Sequence, residues 1–229
     1  MVNINAFWRL KMRQTIGIVS VLLGVLLFMG RTGDAQVLLL APPAVTVSAG
    51  YSNLQTEKAN NLFYTHDGSY LDADVAWQLP VIVPLQAGLG VTGSGYWERE
   101  SLFPSVIDNF GDYYSHLYSD LGLFEIEPRI GLRLGGRTGF YALPRVGAGL
   151  LIDNFAIDQT FNSGGATYID THYHTGAGFE IRPAVQVGYS WGHLSAGLEG
   201  SYLYSWGDFG GLGHNAQELR IGVFLNFRF

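Results

Sequence analysis

The chain predicts an all-β fold: eight antiparallel strands in up-and-down order, closed into a transmembrane β-barrel. Three observations carry this. Apolar residues recur with a period of two in eight separate segments, which marks strands with one apolar and one polar face. The connections between those segments alternate long and short, as in membrane barrels, whose turns are short on one side and longer on the other. No segment after residue 35 is apolar over the roughly 20 residues that a membrane helix needs. A chain of this kind crosses lipid only as a closed barrel, because lipid offers exposed backbone groups no partners.

The first element is an export segment. Arg9, Lys11 and Arg13 precede an apolar run from Ile16 to Met29, and Gly33 and Ala35 place small residues ahead of Gln36. That is the layout of a secretory signal peptide. Residues 1–35 are expected to be cleaved, leaving 36–43 as a periplasmic linker and 44–229 as the barrel domain. Met12 is an alternative start, since Arg13 still supplies charge. Cleavage removes four basic residues and one acid, so the formal net charge moves from −6 to −9, with Lys58 the one remaining lysine. No nucleic-acid footprint is present. The absence of cysteine excludes disulfides, thiolate sites and a lipid-anchoring cysteine.

The strands follow in order. Val45, Val47, Ala49 and Tyr51 alternate with Thr46, Ser48 and Gly50; after a polar stretch at 53–69, Leu71 to Leu79 alternate with Asp72, Asp74 and Gln78. A tight connection from Pro80 to Pro84 leads to Leu85, Ala87, Leu89 and Val91, and 98–120 reads as a long loop rich in acids and aromatics. Phe124 to Leu134 alternate with Glu125, Glu127, Arg129 and Arg133, and Gly135-Gly136-Arg137-Thr138 is a hairpin turn. Phe140 to Ile152 form the next strand, 154–170 reads as loop, and Tyr173 to Tyr189 alternate with Glu180, Arg182 and Gln186. Trp191-Gly192-His193 turns the chain into Leu194 to Tyr204, and a Gly-rich loop at 206–215 precedes the closing strand. Phe124-Glu125-Ile126-Glu127-Pro128 recurs as Phe179-Glu180-Ile181-Arg182-Pro183, a repeat that fits hairpin duplication. Each of these prolines removes a ladder donor, so bulges are expected there.

The closing strand runs from Leu219 to Phe229, with every odd position large and apolar. An amphipathic strand that ends on an aromatic resembles the closing strand of bacterial outer-membrane barrels. The whole mature chain looks like the small eight-stranded barrels of the OmpA, OmpX and opacity-protein type. That resemblance implies a monomer in outer-membrane lipid, with Phe227 and Phe229 as the assembly signal read by the barrel assembly machinery. It implies an envelope anchor, adhesin or narrow pore, and it carries no catalytic motif and no cofactor.

The polar face holds the candidate site. Asp72, Asp74, Glu125, Glu127, Glu180, Glu199 and Glu218 share it with Arg129, Arg133, Arg145, Arg182 and Arg220. Facing lipid, each basic residue would cost about 2–4 kcal/mol at mid-depth. Facing the bore of an eight-stranded barrel, which has room only for side chains, they can pair into a charge belt. The expected function is therefore a non-enzymatic barrel that anchors, adheres or supports the envelope around a largely plugged polar lumen. The alternative is a narrow pore for ions or small solutes. His172 and His174 stand two apart on one strand, with His66 and His116 in loops, but two ligands on one face make no zinc site. A lipid-A deacylase of this barrel class uses a His and a Ser two apart; His172-Tyr173-His174 lacks that Ser. The aromatics and acids of 98–120 suit an extracellular partner or a glycan.

Overall fold

The computed structural model describes residues 43–56, 67–79, 84–97, 113–163, 166–209 and 213–229. The expected signal segment and linker, residues 1–42, and most of the 98–120 stretch lie outside them.

Nine strand segments form one antiparallel sheet: β1 (Ala44–Thr56), β2 (Asp67–Gln78), β3 (Leu85–Trp97), β4 (Tyr113–Leu132), β5 (Leu134–Gly135), β6 (Thr138–Ser163), β7 (Ala166–Trp191), β8 (Leu194–Phe209) and β9 (Gly213–Arg228). The two-residue β5 keeps the register of β4, since Gly131 faces Arg145 and Leu134 faces Ala142 on the same strand. The barrel thus has eight strands, with β4 and β5 forming one. Each strand pairs with the next, and β9 pairs back onto β1 from Ala44–Arg228 to Thr56–Ala216, so no edge is left open at barrel height.

The period of two becomes inside and outside. Large apolar side chains stand exposed around the wall, among them Val47, Leu89, Ile130, Val185, Leu198 and Val223. Exposed aromatics band both ends: Phe140, Tyr189, Trp191, Phe227 and Phe229 at the short-turn end, and Tyr51, Phe179, Tyr202, Tyr204 and Trp206 at the other. Tyr189 and Phe179 on β7 mark the two bands. The intervening residues span ~33 Å of strand at ~3.3 Å each. Tilted by ~40°, that strand is ~25 Å tall, the height of the apolar belt of outer-membrane barrels. Among the described residues no helix is long and apolar enough to cross a membrane.

Two expectations are corrected. The stretches taken as loops at 98–120 and 154–170 are partly strand. β6 and β7 run 26 residues each and stay paired out to Ser163–Ala166, while β4 pairs with β6 from Tyr113–Asn162. Likewise β8 and β9 extend into 206–215, with Trp206 facing Asn215. The segments mix polar residues with scattered apolar and aromatic ones, without the sustained alternation of a wall strand, and backbone pairing carries the strands through them. The bulges expected at Pro128 and Pro183 are also absent. Pairing to β6 continues in one register from Ile126–Leu150 to Arg129–Gly147, and pairing to β8 from Ile181–Tyr204 to Ala184–Ser201. A strand residue's N–H points at one neighbour only, so each proline breaks the ladder on one side. Pro128 still pairs in register with Leu89, and Pro183 with Val146.

Candidate functional site

The bore is filled in layers. All twelve charged residues expected to share the inner face are buried, none more than 8% exposed. Their parity along β2, β4, β6, β7, β8 and β9 turns them inward, and the register sets most of them at one level.

Arg129 is the hub. Its Nε donates to Glu127 at 2.8 Å and its Nη1 to Asp72 at 2.9 Å. Arg145 donates to Asp74 at 2.9 Å and to Glu199 at 2.8 Å, and Gln186 donates to the other Glu199 oxygen at 2.7 Å. Arg182 joins Glu127, reaches Asp72 at 3.2 Å and lies 3.4 Å from Glu125. Arg220, with no exposed surface, donates to Glu125 at 2.9 Å and to Glu218 at 2.6 Å. Hydroxyl groups complete the set: Thr92 donates to Asp72, and Ser94 donates to Glu218 at 3.1 Å. The result is one continuous network across the bore, in which every guanidinium bridges at least two carboxylates.

Two expected members stand apart. Arg133 lies below the belt, its guanidinium carbon 3.6 Å from the centre of the Tyr141 ring. Glu180 is buried without a hydrogen-bond partner for either carboxylate oxygen, and offers an oxygen within 4.8 Å of Glu125 and Glu127. Three carboxylates so close are the described group best able to hold a cation or share a proton, though arginines already engage two of them. His174 is exposed and stacks on Phe155 at 6.3 Å; the side chains of His172, His116 and His66 lie outside the described residues.

Glycine makes room for the belt. A side chain at Gly90 would overlap the Arg129 guanidinium, and one at Gly147 would overlap the Glu127 carboxylate. These small residues are as much part of the site as the charges, and only the facing positions of the strands disclose it.

Apolar layers bracket the belt. Outward of it, Leu54, Tyr96, Leu121, Leu123, Leu151, Phe155, Leu203 and Phe209 form one buried cluster. On the other side Tyr141, Leu143 and Phe224 form a smaller one, with Tyr141 edge-on to Phe224 at 6.3 Å. Sequence reasoning missed both. The signal was available: Leu121 and Leu123 share the parity of Glu125, so the inner face turns apolar above the charges. Below the belt the bore opens into a vestibule of about 670 Å³ at the short-turn end.

An apolar outside around a charged, packed inside inverts the soluble pattern. The chain is a β-barrel of outer-membrane type. No protein-family model and no curated protein matches it. Among solved structures it is similar to Neisserial surface protein A, at 13% identity and TM-score 0.47 over 83% of this chain and 99% of that one. It is similar to Ail, the attachment invasion locus protein of Yersinia pestis, at 9% identity and TM-score 0.46 over 82% and 99%. The N-terminal β-barrel domain of Pseudomonas aeruginosa OprF is similar at 13% identity and TM-score 0.38, also over 82% and 99%. The assignment rests on strand pairing and on the inverted barrel itself.

Proposed function

We propose that this protein is a non-enzymatic integral outer-membrane barrel whose bore is a structural plug, and that it serves as an envelope anchor or surface adhesion protein. One observation carries the proposal: the bore is filled by a paired charge network with packed apolar layers on both sides. Paired charges in a sealed bore stabilise each other, whereas an ion path needs unpaired groups and water between them. The belt so placed holds strands from all round the barrel in one register.

Surface contact is supported by the far end of the barrel. Among the described residues, β4, β6 and β7 continue as three paired strands beyond the last pairs of β3 with β4, Trp97–Asp120, and of β8 with β7, Asp208–Ala177. Free strand edges are sites for pairing with other chains. With the chain ends and short turns on the periplasmic side, this extension lies on the cell surface.

The test is conductance of the purified full chain in planar bilayers. A plug gives negligible current at neutral pH, together with protease trimming of the β6–β7 extension on intact cells. Steady current from the wild type makes the belt a selectivity filter and the protein a narrow pore.

A further inference from the structure

We infer that the vestibule at the short-turn end is a binding site for a small organic phosphate. The cavity of about 670 Å³ falls within the several-hundred-Å³ range of ligand pockets. Its lining is mixed in chemistry: Arg133, Arg137 and Arg228 stand with apolar Leu79 and Pro84 and the neutral amide of Gln86. No Asp or Glu side chain stands among the described residues that line it. Asp74, further up the bore, is held by Arg145 at 2.9 Å and belongs to the belt.

The arginines are placed to bind. Arg133 is 5% exposed, and its Nε–H is buried without a hydrogen-bond partner. Its guanidinium is fixed over the Tyr141 ring at 3.6 Å, and one Nη2 hydrogen bond goes to the Gly136 carbonyl at 3.3 Å. Arg228 keeps the inward parity of Phe224 and Asn226 at the end of β9. His193 ties that backbone down through Nδ1 and the Arg228 carbonyl at 2.9 Å. Elsewhere in the bore arginines are matched by Asp and Glu side chains; here three arginines line one cavity with no Asp or Glu side chain among its described lining residues. Guanidinium groups bind phosphate through paired N–H donors, and the apolar lining residues Leu79 and Pro84 favour an ester with a hydrophobic group over the free ion.

The probe is phenyl phosphate, titrated calorimetrically into the full chain in phosphatidylcholine nanodiscs. Saturable one-to-one binding is expected, tighter than that of inorganic phosphate. Arg137→Gln and Arg228→Gln should each weaken it at least tenfold, while His174→Gln at the far mouth leaves it unchanged. Arg137 is exposed in a turn, so its substitution tests binding without threatening the fold. Loss of binding in nanodiscs rich in phosphatidylglycerol assigns the site to a lipid headgroup phosphate; unchanged binding assigns it to a soluble one. Absence of saturable binding, or binding indifferent to both arginine substitutions, overturns the inference. Neither result bears on whether the belt above conducts.

Discussion

Arg145 and Gly147 sit two residues apart on β6 and make opposite demands on the bore. Arg145 must be long and charged to reach Asp74 and Glu199 from across the barrel. Removing it leaves two buried carboxylates short of a partner. Breaking such a pair typically costs about 3–5 kcal/mol, because the surviving charge is uncompensated. Arg145→Ala is therefore expected to lower the unfolding free energy in vesicles by about that much, read from heat-modifiability gels across a denaturant series. Gly147 must be small because Glu127 occupies the space its side chain would fill. Gly147→Leu should abolish the folded band, whereas Gly200→Leu, at an exposed position where a Cβ meets nothing within 4 Å, should fold at wild-type yield. Equal yields from the two leucine variants would refute the cradle.

At the scale of the strand, what matters is which face a residue occupies and how far along it stands. Val223 lies on the outward face of β9, 62% exposed and between the aromatic bands. Val223→Arg should cost about 2–4 kcal/mol, the penalty for a basic residue near mid-bilayer. His214→Arg, at the outer end of the same strand, should cost nearly nothing; urea unfolding in vesicles measures both. The β6–β7 extension obeys another rule, since its arms pair with each other above the wall. Replacing residues 157–172 by a short turn should leave the barrel folded and heat-modifiable. Loss of folding in that variant would mean that the extension supports the wall.

For the whole molecule, the belt and the apolar layers on either side of it are seals in series. Arg145→Ala alone is expected to weaken the barrel without opening it, because Leu151 and Leu203 still close the outer bore. Adding Leu151→Ala and Leu203→Ala above the belt and Phe224→Ala below it loosens the belt and both apolar layers, and planar bilayers should then register current. Its sign is set by the charge balance. Among the described residues the buried acids are Asp72, Asp74, Glu125, Glu127, Asp153, Glu180, Glu199 and Glu218, against Arg129, Arg133, Arg145, Arg182 and Arg220. Acids outnumber arginines even before Arg145 is lost, so the current should favour cations. Anion preference, or full current from Arg145→Ala alone, would contradict seals in series.

The sequence by itself determined the class of fold, the strand count and the inner face. A period of two needs no tertiary context: adjacent side chains on a strand point to opposite sides, so Glu125, Arg129 and Arg145 declare their face once the apolar residues between them declare the other. It did not determine partners, since Arg145 joins Asp74 and Glu199 from strands far apart in the chain, and register across the barrel chooses them. Nor did it mark where strands end, because the polar arms of β4, β6 and β7 pair through the backbone, which is the same for every residue but proline. Of the vestibule arginines, Arg133 reads in sequence as a member of the belt, and Arg137 and Arg228 as ordinary polar positions. Only closure of β9 onto β1 brings Arg228 to the cavity that Arg133 and Arg137 line, and distance in space, not in sequence, sets the strength of electrostatic attraction.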